Sequence, residues 1–141
     1  MIIRGIRKIY NYFFSPEKEL ARKIKSVVGF TPSRLYLFKL AFYHKSMNDE
    51  LANDFNNERL EYLGDAILST IVAEYLFKKY PNKNEGFLTK MRSKIVKRKT
   101  LNGIADRMGI DMILTDYSQG NLSKSMLGNA LEALIGAIYI E

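Results

Sequence analysis

The segment that most constrains the fold is SMLGNALEALIGAIYI, residues 125–140, in which Glu132 is the only charged side chain. Apolar residues lie almost all round this helical stretch, so we expect most of its surface to be buried. A carboxylate there costs on the order of several kcal/mol unless it is paired or bound to a cation. Asn129 shares the face of Glu132, and Gly136 is expected to keep that face open. Pairing of Glu132 with an arginine or lysine from another helix is the alternative.

A second group of acids lies in NERLEYLGDAILSTI, residues 57–71. At about 100° per residue, Glu58, Glu61 and Asp65 form one stripe at the border of the apolar face. No lysine or arginine follows four residues later to offset their mutual repulsion, although a solvated acidic face is the alternative for this helix alone. The two helices together offer oxygen ligands of the kind that Mg²⁺ or Mn²⁺ prefers, namely Glu61, Asp65, Asn129 and Glu132.

The rest of the chain has helical periodicity, and no segment alternates with period two long enough to predict a strand. We therefore predict one all-α domain, a helical bundle. Residues 1–16 form an amphipathic arm, interpreted as a packing arm or short helix, with a membrane-surface anchor as the alternative. Helices are expected over 17–28, 34–44, 57–80, 85–108 and from 122 onward, with a polar loop over 46–57 and irregular structure over 113–121.

Composition narrows the possible chemistry. The 141 residues suffice for one compact domain, and 22 lysines and arginines against 15 acids give a net charge of +7, which favours polyanionic partners. The absence of cysteine excludes disulfides and thiolate sites. The single His44 argues against a multi-imidazole site, and we assign it to packing or hydrogen bonding rather than to catalysis. No apolar run reaches the roughly 18 to 20 residues of a membrane span, so we expect a cytoplasmic protein without a membrane partner.

Two long motifs carry a family resemblance. NERLEYLGD at 57–65 closely resembles the signature of ribonuclease III, and GNALEALIGAIY at 128–139 is similar to that family's second acidic motif. EGFLTKMRSKIV at 85–96 and AFYHKS at 41–46 also match, and the resemblance covers about residues 17–141. It implies an all-α catalytic domain that cleaves double-stranded RNA as a homodimer. The products would carry 5′-phosphate and 3′-hydroxyl ends, in the maturation of ribosomal and messenger RNA. A non-catalytic dimeric RNA-binding or scaffold domain is the alternative.

The resemblance also assigns roles by motif position. Glu61, Asp65 and Glu132 would be catalytic metal ligands for Mg²⁺, with Mn²⁺ as a possible substitute, and Asn129 would occupy the fourth metal position. Most members have aspartate at that position. Because an amide oxygen carries no negative charge, we expect weaker metal affinity here. No small-molecule cofactor is expected.

Other positions receive supporting roles. The resemblance makes Glu58 and Glu85 supporting acids near the cut phosphate, and Tyr62 stands where the family usually inserts a phenylalanine into its partner subunit. A basic cluster is a candidate for binding RNA phosphates, although a solvated helix face is an equal alternative. Its members are Lys90, Arg92, Lys97, Arg98 and Lys99.

The expected domain organisation is an arm over residues 1–16 followed by a catalytic domain over 17–141. Family members usually carry a double-stranded RNA-binding domain after the nuclease domain, and this sequence has none. Because the last helix is still apolar just before the sequence stops, we expect that the chain is truncated within it. Without the additional domain, RNA affinity should be lower and more sensitive to salt.

Overall fold

The computed structural model describes residues 2–43, 57–118 and 123–141, and the prediction of an all-α domain is confirmed. His44 and nearly all of the predicted polar loop lie outside these ranges. No helix in the described residues is long and apolar enough to cross a membrane. In chain order the helices are α1 (Ile2–Phe13), α2 (Lys18–Val28), α3 (Leu35–Ala41), α4 (Glu58–Lys79), α5 (Glu85–Ile95), α6 (Arg98–Arg107), α7 (Ile110–Ser118) and α8 (Lys124–Ile140).

Helix α8 lies at the centre of the bundle and contacts α3, α4, α6 and α7. Ala130, Ala133, Leu134 and Ala137 are fully buried along it, as its apolar sequence predicts, whereas its last turn is exposed. Three of these four residues are alanine, and small side chains let neighbouring helices approach closely. The core is therefore built around a thin central helix.

Helices α4 and α8 meet backbone to backbone at two glycines. A Cβ atom on Gly64 would lie 1.7 Å from the carbonyl oxygen of Glu132, and one on Gly136 would lie 2.4 Å from the carbonyl oxygen of Leu60. Only glycine can occupy either position at this separation. The prediction that Gly136 leaves the face of Glu132 open is wrong, because the backbone of α4 fills that space. The crossing holds the acidic residues of the two helices close together.

The single helix predicted over residues 85–108 is two helices. Lys97 is extended, with φ −65° and ψ 144°, and separates α5 from α6. The hydroxyl of Thr100 bridges the break by donating to the carbonyl oxygen of Lys94 at 3.0 Å. Because α5 packs on α4 while α6 packs on α8, the chain must turn between them, and this packing outweighs the local helical preference.

The prediction of irregular structure over 113–121 is also wrong in its first part. Residues up to Ser118 continue α7, in which Ile113 and Leu114 are buried against the core. Burial of these side chains between α2 and α8 stabilises a helix that the sequence signals only weakly. The turn predicted at Gly120 and Asn121 lies outside the described residues.

The N-terminal arm forms α1, which packs against α2. Asn11 is its buried residue, and the side-chain Nδ2 of Asn11 donates to the carbonyl oxygens of Pro32 at 2.9 Å and Ser33 at 3.3 Å. Ser15 follows the helix, and its hydroxyl accepts a hydrogen bond from the backbone amide of Glu17 at 3.1 Å. Polar contacts therefore contribute to holding the arm on the domain.

Candidate metal centre

A pocket of about 510 Å³ opens where α4, α6 and α8 come together. The predicted ligands on α4 and α8 all line it, so the structure brings together the two acidic motifs that are far apart in sequence. Their approach depends on the glycine crossing described above, which places Glu132 beside the backbone of Gly64. The lining residues are Asn57, Glu58, Glu61, Tyr62, Asp65, Arg98, Asn129 and Glu132.

Burial and like charges raise the pKa values of two acids in the pocket. The pKa of Glu132 rises from 4.5 to about 7, first because the carboxyl group is desolvated and then because Asp65 and Glu61 are negative. Desolvation is also the largest cause of the raised pKa of Glu61. Arg98 lowers both values without cancelling the rise. Four carboxyl groups and one guanidinium line the pocket, so ionised Glu132 is unfavourable there without a cation.

Two residues line the pocket without having been predicted there: Asn57 was given no role, and Arg98 was a candidate for binding RNA phosphates. Asn57 is buried before α4, and its side-chain Oδ1 has no hydrogen-bond partner within the described part of the chain. Arg98 begins α6 and interacts electrostatically with Glu61 and Glu132. The alternative that an arginine or lysine from another helix pairs with Glu132 is thus partly confirmed, because Arg98 of α6 lowers the pKa of Glu132. A continuous helix over 85–108 could not predict this placement, because the position of Arg98 depends on the break at Lys97.

The donor set of this pocket fits a hard divalent cation. It combines carboxylates with amide oxygens, and the excess negative charge favours cation binding. Within the described residues no three acidic side chains already converge as a metal-binding group, so binding an ion requires changes in side-chain torsions. Glu61, Asp65 and Glu132 are the charged candidates, and Asn129 contributes a neutral oxygen.

The predicted supporting acids lie in different places. Glu58 lines the carboxylate pocket. Glu85 lies in another groove, of about 630 Å³, between α4 and α5, where its Oε1 accepts a hydrogen bond from the hydroxyl of Thr89 at 2.6 Å. Arg92 lines the same groove. Within this chain, therefore, the structure does not bring Glu85 to the other acids.

The remaining predicted residues divide between surface and pocket. Lys90, Lys97, Arg98 and Lys99 are exposed, as an RNA-binding or merely solvated cluster would be, and Arg98 also lines the carboxylate pocket. Tyr62 is 82% exposed and lines both the carboxylate pocket and a neighbouring apolar groove. The side chain of Tyr62 is therefore accessible to another molecule.

The part of the chain that holds both acidic motifs matches a known domain. Residues 58–141 match the model of the Ribonuclease III domain. The chain belongs to the ribonuclease III family. Ribonuclease 3 of Azobacteroides pseudotrichonymphae is 44% identical over 142 residues, covering 99% of this chain and 54% of that protein. Ribonuclease 3 of Phocaeicola vulgatus is 42% identical over 140 residues, covering 97% and 46% respectively.

A solved relative has the same fold. The nuclease domain of ribonuclease III from Campylobacter jejuni is 35% identical, with a TM-score of 0.73 over 84% of each chain, and one study of it describes a flexible region involved in dimer formation. The ribonuclease III fold predicted from the motifs is thus confirmed. The chain spans about half the length of the curated relatives it matches.

Proposed function

We propose that this chain is the nuclease domain of a metal-dependent endoribonuclease that cleaves double-stranded RNA. The observation that carries the proposal is the meeting of Glu61 and Asp65 with Glu132 in one pocket, with too little positive charge to balance them. A scaffold would gain stability by losing one of these acids. Family membership and the net charge of +7 support an RNA substrate.

A Mg²⁺ ion held by Glu61, Asp65, Asn129 and Glu132 would activate water and stabilise the leaving oxygen of the phosphodiester. These residues would position the ion, and the α4–α8 crossing keeps their backbones close together. Arg98 partly neutralises Glu61 and Glu132 before an ion binds. The proposed products carry 5′-phosphate and 3′-hydroxyl ends, and RNA maturation is the proposed cellular role.

The proposal includes a homodimer. Tyr62 projects beside an apolar groove of about 600 Å³ formed by α3, α4 and the end of α8. An exposed aromatic side chain next to an apolar groove is a self-complementary surface, as a twofold dimer requires. We expect Tyr62→Ala to shift the mass measured by light scattering from dimer to monomer. Tyr75→Ala is the control, because Tyr75 is also exposed on α4 but outside this groove.

The nuclease proposal is tested by cleavage of a long RNA duplex across a Mg²⁺ titration. We expect Glu132→Gln to reduce the cleavage rate on the order of 100-fold or more. The matched control is Glu74→Gln, which removes the same charge from an exposed residue of α4 paired with Lys78, and it should cleave normally. Metal-dependent cleavage that survived Glu132→Gln would contradict the ligand assignment.

Asn129 provides a test of how metal affinity is set. Asn129→Asp adds a negative charge to the pocket, so we expect cleavage to saturate at a lower Mg²⁺ concentration. If the natural chain binds duplex RNA without cutting it at any Mg²⁺ concentration while Asn129→Asp restores cleavage, the domain is a non-catalytic RNA-binding relative.

A further inference from the structure

Helix α1 attaches to the domain through a polar stripe. Its inward-facing side chains are Lys8, Asn11 and Tyr12, followed by Ser15, a spacing that places them on one side of a helix. Beyond the hydrogen bonds of Asn11, the Lys8 ammonium lies 5.5 Å from the centre of the Phe30 ring. The ammonium of Lys25 lies 4.4 Å from the ring centre of Tyr12. The helix is therefore fixed with its polar side against the body.

The opposite side of α1 carries an exposed apolar stripe. Exposure reaches 80% at Ile2 and 72% at Phe14, which directly follows the helix, and the helical part of the stripe spans about 120° of the helix surface. An amphipathic helix of a globular domain normally turns such a face toward the core, and this one is reversed. A contiguous exposed apolar surface of this kind marks an interaction site. The apolar stripe consists of Ile2, Ile3, Ile6, Ile9, Phe13 and Phe14.

The basic charges near the apolar stripe indicate which kind of partner it could bind. Residues 1–16 contain no acid, and their charged side chains are Arg4, Arg7 and Lys8. Arg4 and Arg7 are exposed, Arg7 at the edge of the apolar stripe and Arg4 on the side of Lys8 and Asn11. A second copy of α1 would bring like charges together, whereas an anionic lipid surface would attract them. A basic residue beside an apolar face that contains isoleucine and phenylalanine, on a segment without acids, is typical of helices that lie in a membrane interface.

We propose that α1 binds the surface of membranes containing anionic phospholipid. The apolar stripe would enter the boundary between headgroups and acyl chains, and Arg7, at the edge of the stripe, would meet lipid phosphates. No rearrangement is required, because the polar stripe already holds the helix on the domain with its apolar side outward. No residue of α1 lines the carboxylate pocket, so lipid binding and the candidate metal centre use different parts of the molecule.

Co-sedimentation of the 141-residue chain with vesicles tests this proposal. We expect the chain to pellet with vesicles of equal parts phosphatidylglycerol and phosphatidylcholine, less so at high salt, and not with phosphatidylcholine alone. Ile6→Ser combined with Phe13→Ser should weaken binding about tenfold or more. The matched control is Met112→Ser combined with Phe77→Ser, which removes one aliphatic and one aromatic exposed side chain outside α1. Both double variants should unfold at the same temperature as the natural chain within a few degrees.

Three results would overturn the proposal. The natural chain could remain in the supernatant with anionic vesicles. The α1 double variant could bind as well as the control, which would assign lipid binding to another basic surface. Light scattering could detect an oligomer that the α1 double variant dissociates while neither protein binds vesicles, which would make the apolar stripe an interface between copies.

Discussion

Helices α8 and α1 both carry apolar residues at helical spacing, but they use them in opposite ways. Helix α8 is enclosed by four other helices and buries its alanines and Leu134 completely. Helix α1 buries Asn11 and exposes its isoleucines. Hydrophobic periodicity thus indicates which side chains share a face, but the direction in which that face points depends on what the rest of the molecule offers.

The same contrast separates the tightly packed centre of the molecule from a helix that is fixed at its periphery. At the α4–α8 crossing, backbone atoms of two helices are in contact, and the carboxylate pocket lies next to this contact. Helix α1 contributes little to the apolar core, and its contacts with the body include hydrogen bonds and cation–ring contacts. Substitutions at the crossing should therefore affect the whole domain, whereas those in α1 should act locally.

The largest expected effect is that of Gly64→Ala. The added methyl group would lie 1.7 Å from the carbonyl oxygen of Glu132, so the two helices must separate. We expect a loss of about 3 kcal/mol or more in the free energy of unfolding, measured with urea. Gly5→Ala in α1 is the control, because a Cβ atom there meets nothing within 4 Å. It should change stability by less than about 1 kcal/mol, in the stabilising direction. Equal effects of the two substitutions would mean that the crossing is not a tight contact.

The sequence predicts part of the fold and of the carboxylate pocket correctly, and part of it wrongly. The isolation of Glu132 in an apolar stretch correctly indicated a buried helix, and the spacing of Glu61 and Asp65 placed both on the face that lines the pocket. These predictions depend on period alone, which is a local property of the chain. The expectation that Gly136 leaves space beside Glu132 was wrong, because hydrophobic periodicity does not indicate which helix packs against a given glycine.

The misplaced features all depend on contacts between distant segments. Neither proline nor glycine marks the break at Lys97, which follows from α5 and α6 packing on different helices. Arg98 was consequently assigned to RNA rather than to the pocket. Glu85 was grouped with the other acids through the family resemblance, and within one chain it lies in a separate groove.

Asn11→Ala tests the attachment of α1. Its side-chain amide donates to two carbonyl oxygens in a buried position, and removing it leaves these acceptors with one fewer donor. We expect a cost of about 1 to 2 kcal/mol, confined to the docking of α1. Hydrogen exchange of the α1 amides should accelerate roughly tenfold while exchange in α8 stays unchanged. Equal acceleration in both helices would mean that α1 is part of the cooperative core.

Glu132→Gln tests how much ionisation of Glu132, beside the α4–α8 crossing, lowers the free energy of unfolding in the absence of metal. The folded-state pKa of about 7 exceeds the ordinary value of 4.5, so between these values the folded protein holds a proton that the unfolded chain has released. Stability should therefore fall as the pH rises through this window. The glutamine variant should lack this fall and exceed the natural chain by about 1 kcal/mol near pH 8, a value reduced by solvent screening.

Denaturation of both proteins in a chelator across this pH range measures the difference in stability. A second series with added Mg²⁺ tests whether an ion reverses it. An ion bound to the ionised carboxylate stabilises the folded state, so added Mg²⁺ should stabilise the natural chain more than the glutamine variant. A natural chain whose stability is flat from pH 4.5 to 7 in chelator would contradict the raised pKa of Glu132.

The smallest expected effect belongs to the apolar stripe of α1. Ile6 is 62% exposed, so replacing it with serine removes little buried surface, and we expect the free energy of unfolding to change by no more than about 0.5 kcal/mol. Ile24 in α2 is fully buried, and the same substitution there should cost several-fold more, since it leaves both a cavity and a buried hydroxyl group. If Ile6→Ser destabilised the chain by more than about 1 kcal/mol in lipid-free buffer, the stripe would already be covered in solution. A negligible change together with lost vesicle binding would instead assign these isoleucines to interaction with a partner rather than to folding.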